Sequence, residues 1–378
     1  MDIKTAVEQI TGVNISTNLP DLPPDFDLES KPIMRQLVKA TRALAELDNK
    51  AALLPNQDIL ISNIALSEAR DSSAIENIVT TNDLLYKANI TPEPNVDPIT
   101  KEIRDYNNAL WLGVELIKQK PLSESVFVKL VQVIKHNTAG IRKTPGTVVK
   151  NTTTGEILHV PPQTELEIKQ KLKNLEYFLY DEKFSDIDPL IKMAVMHYQF
   201  ESIHPFNDGN GRTGRIANIL WLVQEKLLHR PILFLSKYYL EHRTEYYAGI
   251  QNIHTDSEWE YWIVYVLKSV EQTAKDTTDL IDRILSVRAE YKLQLKNNFS
   301  NIYSHELLDA IFSSPYFRTE NLTSTLGITR QTASKYLKKL SIPYVDIYGN
   351  NKQLLTVQHV GRDNIYFNQV LFEILTNK

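Results

Sequence analysis

From Ile33 to about Leu54 the apolar residues return at helical spacing. The same period runs from about Asp58 to Ala88, from Thr100 to Lys120, from Glu124 to His136 and from Glu165 to Asp181. Pro92, Pro94 and Pro98 punctuate the chain between the second and third of these stretches. Another helix is expected to open at Asp188, a residue suited to the N-cap, with Pro189 at the first helical position. Leu190, Met193, Ala194, His197, Phe200 and Ile203 mark its repeating face. After a glycine-rich interruption, Ile216, Ile219, Leu220, Val223 and Leu227 resume a 3.6-residue period. A long amphipathic stretch from about Ser257 to Asn297 carries Trp259, Trp262, Tyr265 and Leu267. The pattern predicts an all-α protein.

Two segments depart from it. In residues 144–162, TPGTVVKNTTTGEILHVPP, the runs Thr147–Lys150 and Glu156–Val160 are β-prone and flank an Asn/Thr/Gly turn closed by Pro161 and Pro162. This predicts a β-hairpin, with a surface loop as the alternative, because an isolated hairpin is marginal in water. Residues 300–378 read as helix, short helix, tight turn, helix and hairpin, with Gly327 at the turn and Gly349-Asn350 at the hairpin tip. That order is the pattern of a winged helix-turn-helix. Residues 20–28, PDLPPDFDL, predict an extended entry segment.

At 378 residues the chain has room for two or three domains and a sizeable core. A net charge of −4 gives no general pull toward nucleic acid or anionic membrane. No apolar run approaches the ~20 residues of a membrane helix, and the opening MDIKTAVEQITGVN lacks the apolar run of a signal peptide. The absence of cysteine excludes disulfides and thiolate zinc sites and agrees with a cytoplasmic setting.

The chemistry concentrates in residues 204–215, HPFNDGNGRTGR. Gly209, Gly211 and Gly214 fit G-x-G-x-x-G, yet a dinucleotide fingerprint follows a strand, whereas these glycines join two helical patterns. A metal site on His197, Glu201 and His204 is a second option, since the three share one helix face. They do not form H-E-x-x-H, however, and a hydrogen-bonded core role suits His197 better. The spacing suits a triphosphate. The backbone amides of Gly209, Asn210, Gly211 and Arg212 open a helix, lack intrahelical acceptors and lie at the positive end of its dipole. Arg212 and Arg215 are spaced to lean over the same end, Asp208 stands at the rim as a ligand for Mg2+, and His204 precedes the cradle as a base.

HPFNDGNGRTGR resembles the HPFx[DE]GNGRxxR signature of Fic (filamentation induced by cAMP) domains at every defining position. The resemblance implies a helical catalytic core with a β-hairpin flap over the signature loop, and it favours the hairpin reading of residues 144–162. It divides the chain into an N-terminal helical region (1–99), a Fic core (100–235), a helical connector (236–299) and the C-terminal winged helix (300–378). The activity implied is adenylylation, in which AMP passes from ATP to a Tyr, Thr or Ser hydroxyl of a target protein. Self-modification is included, and pyrophosphate is released. By the same resemblance His204 would be the general base and Asp208 the Mg2+ ligand. Gly209, Asn210, Gly211, Arg212, Thr213, Gly214 and Arg215 would hold the phosphates. In RTEYYAGIQ, Tyr247 would contact the adenine, with Tyr246 the second choice. A homodimer is compatible with the family.

Residues 72–77, SSAIEN, read locally as a helix capping box from Ser73 to Glu76. Ser72, Glu76 and Asn77 also fit [ST]xxxE[GN], the inhibitory motif of Fic proteins, and its place before the core favours that reading. Glu76 is then expected to pair with Arg215 and fill the space of the γ-phosphate. The family resemblance also admits transfer of a different phosphate-containing group, such as a phosphoryl or phosphocholine moiety, which tends to accompany departures from the signature that this sequence does not make. Two further alternatives stand beside AMP transfer. One is removal of AMP at the same site. The other is DNA binding through the winged helix, whose region carries eight Lys/Arg and six Asp/Glu, a modest excess for a DNA reader.

Overall fold

The computed structural model describes residues 19–54, 57–88, 90, 96–150, 157–345, 349–360 and 363–376. Pro92, Pro94 and the turn expected near 151–156 lie outside them. The described chain is mainly helical. Its described residues divide into two units interleaved along the sequence, the first formed by those within 1–48, 71–79 and 105–275, the second by those within 49–70, 80–104 and 276–378. A linear division at 99, 235 and 299 does not reveal that interleaving.

The first unit is organised around two helices, α7 (Pro189–Ile203) and α8 (Asn210–Gln224). Asp188 caps α7 as its sequence predicts, accepting from the Leu190 amide at 2.8 Å, with Pro189 in the first turn. Nearly every side chain of α7 and most of those of α8 are buried. The two helices therefore form the centre of the unit. Gly214 permits their close approach: a Cβ there would lie 2.5 Å from Glu201 Oε1 and 3.0 Å from the Phe200 ring. Around this pair stand α5 (Glu124–Ile134), α6 (Glu165–Tyr180) and α10 (Arg243–Asp256). The Trp259 end of α11 (Trp259–Asn298) also packs here, and Trp262 donates to the Ala194 carbonyl at 2.8 Å. The expected hairpin is present in short form. β1 (Val149–Lys150) pairs antiparallel with β2 (Ile157–His159), with a register irregularity between Val149 and Lys150.

Elements of the second unit include α3 (Asn82–Ala88), α12 (His305–Ile311), α13 (Thr319–Leu326) and α14 (Arg330–Leu340). Its strands are β3 (Tyr316–Phe317), β4 (Tyr344–Val345), β5 (Asn351–Lys352), β6 (Thr356–Val360) and β7 (Asp363–Phe367), followed by α15 (Gln369–Thr376). Gly327, at φ 63°, closes α13 in a backbone region that glycine enters without cost, and Thr329 then caps α14. The strands form an antiparallel β3-β7-β6 sheet and a separate β4-β5 pair. Buried Leu307, Leu308, Ile311, Leu337, Leu340, Tyr366 and Leu371 supply the core.

The helical stretch expected from Asp58 to Ala88 is two helices, α2 (Gln57–Ile75) and α3. The break falls at SSAIEN. Asn77 takes φ 63°, and the Ile78 amide reaches back to the Ser73 carbonyl at 3.0 Å, closing the C-terminal turn of α2. Ser73 thus stands in the last turn of a helix, where a capping box has no function. The local reading of SSAIEN is thereby overturned by position.

Candidate active site

His204 is the C-cap of α7, in the left-handed region at φ 48° and ψ 59°, with its amide still bonded to the Phe200 carbonyl at 3.0 Å. Its ring Nδ1 lies 3.3 Å from the Glu201 carbonyl. A carbonyl only accepts, so Nδ1 carries the proton and Nε2 keeps its lone pair. Arg142, itself buried, holds this turn from the other side. Its Nε donates to the His204 carbonyl at 2.8 Å, its guanidinium also reaches the Pro162 carbonyl, and its amide donates to the Pro205 carbonyl at 2.9 Å. Burial pushes the His204 ring down to about 4; the Glu201 carbonyl and Asp208 oppose the shift, and the Arg142 charge adds to it. The ring is neutral near pH 7, with Nε2 free of a proton.

The loop from Pro205 to Gly209 is braced by Asn210. Its Oδ1 accepts from the Phe206 amide and its Nδ2 donates to the Phe206 carbonyl, both at 2.8 Å. The Asn210 side chain therefore shapes the loop, and what it offers an anion is its backbone amide. Gly209 precedes α8 at φ 82°, and a Cβ there would meet Val131 at 3.2 Å. The first-turn amides of α8 follow, without intrahelical acceptors.

Over this helix start lies Glu76. Its Oε2 accepts from Arg212 Nε at 2.8 Å and its Oε1 from Arg215 at 2.8 Å, and both arginines are buried. Arg215 also donates to Ser72, through Nε to the hydroxyl at 2.7 Å and through its terminal nitrogen to the carbonyl at 2.9 Å. Burial works against the Arg215 charge, but Glu76 and Glu201 are among the groups that outweigh it and hold the guanidinium above its ordinary value. The expected Glu76–Arg215 pair is thus present, and Arg212 joins it. Gly211 makes room for this arrangement, since a Cβ there would stand 2.6 Å from Glu76 Oε1. The motif is tied down further by Arg243, which donates to the Ile75 carbonyl at 2.6 Å and to the Asn77 side chain at 3.3 Å. Arg243 was not singled out in the sequence, although it opens the same RTEYYAGIQ segment that contains Tyr247.

Asp208 is well exposed, at 60% of its side chain, and pairs with Lys135 at 2.7 Å and more distantly with Arg212 at 3.5 Å. Burial of the carboxyl opposes its charge, but the Lys135 hydrogen bond and the nearby cations prevail and lower its pKa. Among the described residues no three His, Asp or Glu side chains gather to hold a metal. His197 lies 3.0 Å from the Tyr246 hydroxyl, and Tyr246 is buried and stacked on Tyr239. Tyr247 is only half buried, and the Arg243 guanidinium sits 5.7 Å from its ring centre. Thr213 is buried within α8.

This geometry belongs with known sequences. Residues 121–222 match the model of the Fic/DOC family, and residues 34–115 match the Fic/DOC family N-terminal model. Residues 287–371 match the model described as protein adenylyltransferase SoFic-like, C-terminal domain. The chain belongs to the Fic/DOC family. Protein adenylyltransferase fic-1 of Caenorhabditis elegans is 35% identical over 96 residues, which is 25% of this chain and 17% of that protein. Protein adenylyltransferase Fic of Drosophila virilis is 35% identical over 92 residues, 24% of this chain and again 17% of the relative. The crystal structure of a Fic family protein from Desulfovibrio desulfuricans G20 superposes with a TM-score of 0.57 at 14% identity, covering 91% of this chain and 98% of that one. A structure of Caenorhabditis elegans Fic-1 gives a TM-score of 0.51 at 20% identity, with 66% and 74% of the two chains covered. Both likenesses concern the fold alone.

Proposed function

We propose that this protein transfers AMP from ATP to a hydroxyl of a target protein, releases pyrophosphate, and is held inactive by Glu76. The observation that carries this reading is the single carboxylate lying across Arg212 and Arg215 at the start of α8. Two buried arginines converging on a helix N-terminus suit phosphate oxygens, and Glu76 takes the place of one anion. In the reaction the target hydroxyl gives its proton to His204 Nε2 as its oxygen bonds to the α-phosphorus. The bond from that phosphorus to the bridging oxygen breaks, and pyrophosphate leaves with the electron pair. Arg212, Arg215 and the amides of α8 stabilise the charge on the phosphates, so positioning and electrostatics do most of the work. The names of the relatives, each an adenylyltransferase, support the same assignment. Incubation with α-labelled ATP, Mg2+ and a cytoplasmic lysate tests it. Label on the protein itself or on a lysate protein is expected, and label only from γ-labelled ATP would refute it.

Asp208 would hold Mg2+, which when bound neutralises charge across the phosphates. An exposed carboxylate beside an anion cradle fits that role, because Mg2+ is commonly held by one or two carboxylates together with substrate phosphates. Lys135 supplies positive charge to the same carboxylate here. Asp208→Ala is expected to lose metal-dependent transfer, read by titrating Mg2+ at fixed ATP. A Mg2+ dependence equal to that of the parent would remove Asp208 from the role.

No helix among the described residues is long and apolar enough to cross a membrane, and a cytoplasmic setting is part of the proposal.

A further inference from the structure

Both oxygens of Asp208, the carboxylate that would hold Mg2+, are engaged within the protein. Oδ1 accepts from the Gly209 amide at 2.6 Å, and Oδ2 lies 2.7 Å from Lys135 Nζ. Lys135 is the C-cap of α5, with its amide bonded to the Val131 carbonyl at 2.9 Å. The next residue, His136, takes φ 47°, and its ring hydrogen-bonds to the carboxylate of buried Asp105. The Asn137 amide returns to the Gln132 carbonyl at 3.2 Å and closes the turn. The lysine stem runs along the signature loop: a Cβ on Gly209 would stand 3.5 Å from its Cγ and 3.6 Å from its Cδ. The Lys135 side chain is 22% exposed, against 60% for Asp208. Ion pairs between two loose surface side chains contribute little, but here the lysine is fixed at its backbone and along its stem. Only the ammonium, a compact charge at the end of a flexible chain, is left to move.

We propose that Lys135 is a positioning residue that acts through Asp208: its ammonium neutralises the carboxylate so that nucleotide phosphates can enter without metal, and Mg2+ settles on Asp208 by displacing it. The electrostatics follow from the shared oxygen. An ammonium and a divalent cation on one carboxylate oxygen repel each other at close range, so each excludes the other. An Asp208 with neither cation beside it would repel the phosphates instead, and nucleotide and metal would have to arrive together. Lys135 therefore lowers the dependence of ATP binding on Mg2+. This rests on the adenylyl-transfer reading, because it requires ATP phosphates beside Asp208.

The test is calorimetric titration of ATP, with Mg2+ or with a chelator in its place, into the full chain carrying Glu76→Gly and into Glu76→Gly/Lys135→Met. The quantity read is the ratio of the two ATP affinities within each protein, so a general loss of affinity cancels. That ratio is expected to be about tenfold larger in the Lys135→Met variant, inside the usual range for coupling between two ligands. Lys135→Arg keeps the charge and should keep the ratio of the Glu76→Gly protein. Should the methionine variant fail to fold, Lys135→Gln provides the uncharged comparison. In an Asp208→Ala background Lys135→Met should leave the ratio unchanged, because the carboxylate through which it acts is gone. An equal ratio with and without Lys135 would overturn the proposal, and so would a change of the same size in the Asp208→Ala background. Absence of ATP binding to Glu76→Gly under both conditions would bring down the adenylyl-transfer reading, and this proposal with it.

Discussion

Replacing Glu76 with glycine is expected to raise incorporation from α-labelled ATP by about tenfold or more, within the coupling range typical of one site controlling another. Self-modification should show the gain most clearly, since it needs no encounter with a target. The carboxylate holds Arg212 and Arg215 together at 2.8 Å each, and its removal frees both for phosphates. Truncating one member of a buried ion pair costs roughly 3–5 kcal/mol, and the partial exposure of Glu76 puts this case toward the low end. The variant is thus less stable alone yet more active, and it gains more thermal stabilisation from ATP than the parent because nucleotide replaces the missing anion. Labelling and ATP-induced melting shifts measured together decide the matter. A destabilised and inactive variant would leave Glu76 with a purely structural role.

His204→Ala should lower transfer by ~10²–10⁴, the usual loss on removing a general base, while ATP binding is largely kept. The imidazole needs its lone pair, which it keeps above its titration at about 4 and loses below it. Transfer by the parent, measured as kcat/KM against pH, is therefore expected to fall as pH drops through that region, and the alanine variant should lack this limb. Near-parental transfer by the variant would discard the mechanism.

The helices that build the site were legible because their apolar periodicity is local, and Asp188-Pro189 marks the start of α7 by local chemistry alone. The end of α2 was not. The apolar spacing continues past Ile75, and what stops the helix is a left-handed Asn77 clamped by Arg243, more than 160 residues away in sequence. The spacing of Arg212 and Arg215 already placed both over one helix end, yet their sharing of one carboxylate depends on where α2 arrives. Asn210 was expected among the residues that hold the phosphates, and the bracing of Phe206 by its side chain emerges only when the loop is folded. The interleaving of the two units is likewise non-local, since no change in composition accompanies residues 71–79.

Arg243 has a consequence of its own. One guanidinium ties the turn that carries Glu76 and also lies against the ring of Tyr247. In the proposed reaction, an adenine lying against Tyr247 would share this guanidinium with the turn that carries Glu76, so base binding and the hold on that turn would be coupled through one side chain.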